Sequence, residues 1–262
     1  MLSAAQHEAV TSEAARPLQI LAGPGSGKTR VLTSRVAHLV RDSAAPIAPE
    51  RCVVVTFTNR AANEMRARLE TMIGADRTRR LVLGTFHAVC VRFLRRWGTR
   101  LGLDPRFTIA DTDDARRLLR DVDRDAPVDA TLAAISRAKA HGWTPDELRA
   151  SAQHAPGSPA HTEHLALCRT YAAYQQQLRT SHALDFDDLL LLGVRLFREH
   201  PELTAHIDHV LVDEFQDTNA VQYELLRRLS RHVSVVGDPD QSIYSWRHAD
   251  VRHIERMHLD FP

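Results

Sequence analysis

Along the first hundred residues, short apolar runs alternate with amphipathic stretches. LQILA (18–22), RCVVVTF (51–57) and LVLGTF (81–86) have the near-continuous apolar character of strands buried on both faces, and each leads into apolar positions at helical spacing. This strand–helix rhythm predicts a parallel sheet with helices on its faces. The rhythm returns late, where HVLVDE (209–214) and HVSVVGD (232–238) flank the helical pattern TNAVQYELLRRL (218–229), and both halves are assigned to one sheet. Between residues 111 and 182 the strand signal gives way to helical segments, which predicts an all-helical insertion. One of its helices opens with Thr144, Pro145 and Glu147, an N-cap, a first-turn proline and a capping-box acid at the right offsets. HAPGSPAH (154–161), rich in small and turn residues, predicts a mobile loop. The expected organisation is an α/β domain formed by 1–110 and 183–262, interrupted by a helical insertion over 111–182.

Composition changes this picture little. With 262 residues, 44% hydrophobic and 26% charged, the chain falls among ordinary globular proteins. It has no apolar run of about 18 residues and no signal-peptide order at its N-terminus, so neither membrane nor secretion is indicated. Cys52, Cys90 and Cys168 lie far apart without CxxC spacing, which points to reduced thiols in an intracellular setting. A net charge of +1 removes bulk charge as an argument for nucleic-acid binding. Of the 34 basic residues only Lys28 and Lys139 are lysines, so each retained lysine needs a reason.

The sharpest chemical signal is AGPGSGKT, comprising Ala22, Gly23, Pro24, Gly25, Ser26, Gly27, Lys28 and Thr29, set between a predicted strand and a predicted helix. A glycine-rich turn there lets backbone N–H groups surround phosphate oxygens at a helix N-terminus; Lys28 then reaches the β and γ phosphates and Thr29 ligates Mg²⁺. Ala22 stands where the usual pattern has glycine. Such a loop needs an acid at the end of another strand, and HVLVDEFQD supplies Asp213 to hold Mg²⁺ through water and Glu214 to orient or deprotonate the attacking water. The next strand ends in GDPDQSIYSWR, where Gln241 is a candidate for the γ phosphate and Tyr244, Trp246 and Arg247 put aromatics and a cation where bases stack. Burial as core is the alternative for those aromatics. The fifteen histidines, His161 with His164 and His206 with His209 among them, lack the carboxylate or cysteine that completes a ligand set. RTRR (77–80) and RFLRRW (92–97) read equally as a DNA path or as solvated helix faces, and Asp185, Asp187 and Asp188 read as an acid cluster at a helix N-terminus.

Taken together, Gln6 in LSAAQHEAV, AGPGSGKTR, TFTNRAANEM (56–65), GTFHAVCVRFL (84–94), ALDFDDLL (183–190), VDEFQDTN (212–219) and VVGDPDQSIYSWRHADV (235–251) resemble the UvrD/Rep/PcrA group of superfamily 1 DNA helicases, in order and spacing along nearly the whole chain. AGPGSGKT, GVRLFREHP and GDPDQSIYSWR are also similar to the fungal members that dismantle recombination filaments. The resemblance implies a RecA-like phosphate-loop domain with the helical 1B subdomain inserted, ATP and Mg²⁺ as cofactors, and 3′ to 5′ translocation in DNA repair or recombination. It implies that Gln6 reads the adenine edge and that Arg30 flanks the nucleotide. It implies further that Phe57, Thr58, Asn59, Thr85, Phe86 and His87 face single-stranded DNA, joined by Tyr244, Trp246 and Arg247.

Helicases of this group carry a second RecA-like domain that supplies arginines to the γ phosphate, and the sequence closes at HLDFP with no NYRS-like segment. The expectation is a first motor domain, weakly active alone and unable to unwind, that binds single-stranded DNA and single-strand/duplex junctions and works beside repair or recombination proteins, in the nucleus of a eukaryote or the cytoplasm of a bacterium. Two rival readings are a nucleotide-binding regulatory module without translocase activity and a small-molecule kinase. The aromatic cluster after Gln241 and the lack of an evident acceptor site speak against the kinase.

Overall fold

The structure is a computed structural model that describes residues 2–153, 155, 157–230, 232–241 and 252–261. The chain separates into two compact units, Met1–Arg92 with Phe197–Pro262, and Phe93–Leu196, so each passage from one unit to the other falls inside a helix.

In the first unit the described residues form a five-stranded, all-parallel sheet. Its strands are β1 (Leu18–Leu21), β2 (Cys52–Thr56), β3 (Val82–Thr85), β6 (His209–Val212) and β7 (Val233–Gly237), in the order β1-β7-β6-β2-β3. The five apolar runs named from sequence are these five strands. β2, β6 and β7 are buried along their whole length, as expected of a parallel sheet covered on both faces. Two helices cover one face: α2 (Lys28–Ala37) contributes Leu32 and Val36, and α3 (Asn59–Ile73) contributes Met65, Leu69 and Ile73, packed with Val54, Leu211 and Val236. Each side chain so buried contributes roughly 1.5–3 kcal/mol. The helices α1 (Ala4–Thr11), α4 (Ala75–Arg80), α11 (Ala220–Leu229) and α12 (Arg252–Asp260) complete this unit, and α5 (Phe86–Trp97) follows β3. The helix after the phosphate loop extends beyond Ala37 by a π turn over His38–Asp42. The expected mixed α/β, RecA-like sheet is therefore present.

Among the described residues the second unit is helical apart from the two-residue parallel pair β4 (Thr108–Ile109) and β5 (Ala183–Leu184). Its helices α6 (Thr112–Val122), α7 (Val128–Ala140), α8 (Pro145–Ala150) and α9 (Pro159–Thr180) surround Leu119, Ile135, Leu148, Tyr171, Tyr174 and Leu178. α10 (Phe186–Glu199) follows β5. Thr144 and Glu147 form the expected reciprocal capping box, with Pro145 in the first turn. The end of the expected loop 154–161 is corrected: Ser158 accepts the His161 N–H at 3.2 Å as an N-cap, so Pro159–His161 are the first turn of α9. Among the described residues no helix is long and apolar enough to cross a membrane.

Candidate nucleotide site

β1 delivers the chain to the phosphate loop at the carboxyl edge of the sheet, where Ala22 N–H donates to Gly237 O at 3.2 Å. The loop then turns on two glycines with positive φ, Gly25 (70°) and Gly27 (83°); Gly27 is the left-handed N-cap of α2 and carries no side chain to compete for the first-turn N–H groups. The Ser26 hydroxyl closes the loop on Gly23 O at 2.7 Å. From the first turn of α2, the Lys28 ammonium donates to Ala22 O at 3.0 Å and lies 3.3 Å from Asp238 Oδ2, while the Thr29 hydroxyl donates to Asp213 Oδ2 at 3.3 Å.

Lys28 and Thr29 line a cleft of about 690 Å³ together with Gly23, Pro24, Gly25, Ser26, Gly27, Arg30, Arg68, Glu214 and Gln241. That size lies within the range of small-molecule sites. Asp213, at the end of β6, is 3% exposed, and its carboxyl is pushed up to about 6, mainly by burial and then by the neighbouring Glu214 carboxylate. Glu214 sits in the left-handed region (φ 50°, ψ 45°), which costs a non-glycine residue about 1–2 kcal/mol. The turn lets Glu214 line the cleft while Phe215, Gln216 and Asp217 after it are buried. The buried Asp213 carboxylate and the Thr29 hydroxyl, brought together beside the cleft, form a hard oxygen donor set, the chemistry that suits Mg²⁺.

Three residues that the sequence reading passed over complete the geometry. Asp238 follows the buried strand β7 and holds Lys28; the Gln241 amide and then Lys28 keep its carboxyl below the usual range. The strand-end logic that singled out Asp213 applies equally to Asp238. Gln216 is buried, donates to Glu214 Oε2 at 2.9 Å and accepts from the Asp238 N–H at 3.0 Å, so one amide joins the ends of β6 and β7. A Cβ at Gly237 would come 2.8 Å from Gln216 Oε1, so a side chain there would displace this amide. Arg68 reaches the cleft from α3, and only the folded chain brings it there.

Gln6 stands on α1, where its carbonyl accepts the Ser3 N–H at 2.9 Å and its amide donates to Ser26 O at 2.8 Å; this ties the helix to the phosphate loop. Thr58 caps α3 and Asn59 begins it, both exposed. The Thr85 hydroxyl accepts from the Ala88 N–H at 3.2 Å. Phe86, 2% exposed, packs edge-on against Phe57 with ring centroids 5.6 Å apart, while His87 is half-buried. Thr85 ends β3 and the other five follow β2 or β3, so all six share the carboxyl edge of the sheet with the cleft. Tyr244, Trp246 and Arg247 lie outside the described residues. Of the arginine-rich segments, Arg80 pairs with Glu50 at 2.8 Å and Arg95 stacks 4.0 Å over the Phe107 ring. The three cysteines are free and buried, and burial pushes the thiols of Cys52 and Cys90 up to about 12.

A parallel sheet with a glycine-rich loop entering a helix, and two strand-end acids opposite a lysine and a threonine, defines a phosphate-loop nucleotide-binding domain. Within that class the chain belongs to the family described as UvrD/REP helicase N-terminal domain, which matches residues 2–262. It is 42% identical over 260 residues to an ATP-dependent DNA helicase PcrA of Leuconostoc citreum, covering 94% of this chain and 34% of that protein. It is 39% identical over 276 residues to a protein of the same description from Staphylococcus epidermidis, covering 100% of this chain and 36% of the relative. A PcrA of Staphylococcus aureus is 39% identical over 272 residues, covering 98% of this chain and 36% of its own length. The chain thus spans about a third of the length of these curated relatives.

Proposed function

We propose that this chain is the ATP-binding motor domain of a DNA helicase that moves 3′ to 5′ along single-stranded DNA, with roles in repair or recombination. The observation that carries the reading is that Lys28 and Thr29, which line the cleft, are met from two strand ends by Asp238 and Asp213. Loop N–H groups and Lys28 bind the β and γ phosphates, Thr29 and Asp213 hold Mg²⁺, and Gln6 reads the adenine edge beside Arg30. Mg²⁺, when bound, supplies positive charge against the phosphoryl oxygens. Glu214 orients the attacking water and accepts its proton, and Gln216 keeps that carboxylate in place. Gln241, bonded to Asp238, senses the γ phosphate and passes its state to the segment beyond it. Single-stranded DNA lies on Phe57, Thr58, Asn59, Thr85, His87, Tyr244, Trp246 and Arg247, with Phe86 bracing Phe57 from beneath. Translocation and the opening of single-strand/duplex junctions require a second RecA-like domain closing on the cleft.

The test is phosphate release with and without oligothymidine. DNA is expected to stimulate release, and Glu214→Gln to reduce it by about 10² or more while nucleotide still binds. Hydrolysis indifferent to DNA would refute the motor and favour a regulatory nucleotide switch.

A further inference from the structure

α1 is an eight-residue helix with Val10 as its buried residue, so apolar packing does little to fix it. Its attachment is polar and centres on Arg35, on the second turn of α2, whose side chain is completely buried. Arg35 Nε donates to the Ser234 hydroxyl of β7 at 2.7 Å. Nη1 lies 3.1 Å from Ala9 O, 3.2 Å from Val10 O, 3.0 Å from Ser12 O and 2.9 Å from Ser12 Oγ. Among the described residues no carboxylate pairs with it. The charge is met by carbonyl oxygens at the C-terminal end of α1, the negative end of the helix dipole. A buried cation without a counter-ion is costly and needs a compensating role.

The role follows from what the three joined elements carry. α2 begins with Lys28 and Thr29, β7 ends at Gly237 beside Asp238, and α1 carries Gln6, whose amide holds Ser26 O. We propose that Arg35 is a positioning residue for base recognition: by pinning the C-terminal end of α1 to α2 and β7, it sets where Gln6 stands beside the phosphate loop. The inference rests on the reading of this cleft as an ATP site. It also accounts for the choice of arginine. A planar fork spans from Ser234 to Ser12, whereas an ammonium gathers its donors at one point and releases one of those anchors.

The experiment is competition against a fluorescent ATP analogue by ATP and, separately, by inorganic tripolyphosphate, which has phosphates and no base. Arg35→Lys is expected to weaken ATP about five- to tenfold, the scale of one lost hydrogen bond, and to leave tripolyphosphate within about twofold. Gln6→Ala is expected to weaken ATP at least as much as Arg35→Lys does, and Arg35→Lys/Gln6→Ala to bind ATP no more weakly than Gln6→Ala alone, because both lesions act through one contact. Should Arg35→Lys not fold, Ser234→Ala removes the β7 anchor, together with the 2.8 Å bond between that hydroxyl and His209 Nε2, and carries the same selectivity for ATP over tripolyphosphate at about half the logarithmic effect. Equal losses for both competitors, no loss for either, or losses that add to those of Gln6→Ala would overturn the proposal. A wild-type protein that neither competitor displaces would instead overturn the nucleotide reading, and the proposal with it.

Discussion

Lys139 is the lysine whose purpose only the fold reveals. Its ammonium is fully buried, 2.6 Å from Asp185 Oδ2 and 2.8 Å from Asp188 Oδ1, with the Tyr174 and Tyr171 rings 5.4 and 5.8 Å away. Burial pulls this ammonium down, and the two carboxylates more than reverse the effect, so it stays charged. Tyr174 OH adds a bond to Asp185 at 3.2 Å and Gln175 one to Asp188 at 3.1 Å. Replacing Lys139 by Met strands two buried carboxylates. Two charge-assisted hydrogen bonds at roughly 1.5–3 kcal/mol each give about 3–6 kcal/mol, and the loss on breaking a buried ion pair, about 3–5 kcal/mol, falls in the same range. Urea unfolding followed by Trp fluorescence reads this unit, since Trp97 and Trp143 lie in it. At about 2 kcal/mol/M, the midpoint should fall by about 2 M at pH 7.5. The deficit should shrink near pH 5, where the stranded carboxylates take up protons, and Lys139→Met combined with Asp185→Asn and Asp188→Asn should recover part of it. A single variant as stable as the parent, or a deficit indifferent to pH, would refute this account of the cluster.

Two further outcomes follow. The Asp187 carboxyl is pushed up to about 6 by burial and then by Asp185, so in the folded state it is protonated where the unfolded chain has already ionised. Its presence therefore lowers stability progressively as pH rises from about 4 to about 6, and Asp187→Asn should be more stable by about 1–3 kcal/mol at pH 7.5 with no gain at pH 4, read as thermal midpoints. Gly237→Ala, whose Cβ would come 2.8 Å from Gln216 Oε1, should cost about 1–3 kcal/mol and slow phosphate release by displacing the amide that holds Glu214; an unaffected rate would separate Gln216 from the water-positioning role.

The parallel sheet was legible because strands buried on both faces are short apolar runs, and 209–214 and 232–238 could be joined to the first three by their shared rhythm. The phosphate loop was legible because its chemistry is local: Gly25, Gly27, Lys28 and Thr29 are adjacent in the chain. Asp238, Gln216, Arg68 and Arg35 were not, since their partners lie at separations such as 210 residues for Lys28 with Asp238 and 199 for Arg35 with Ser234. β4 and β5 escaped notice because two-residue strands have no readable period. The run Asp185, Asp187 and Asp188 does sit at the start of α10, with Asp185 Oδ1 accepting the Asp188 N–H at 2.9 Å, yet its main partner is a lysine 46 residues earlier.

The central claim is that the loop from Ala22 to Thr29 binds the phosphates of a nucleoside triphosphate through Lys28. Titration of a fluorescent ATP analogue with Mg²⁺ into the parent and Lys28→Ala, with circular dichroism to verify the fold, tests it most directly. Loss of a charge-assisted hydrogen bond of roughly 1.5–3 kcal/mol predicts an affinity lower by about ten- to a hundredfold in a chain that remains folded. Equal affinities for the two proteins would contradict the assignment of this cleft.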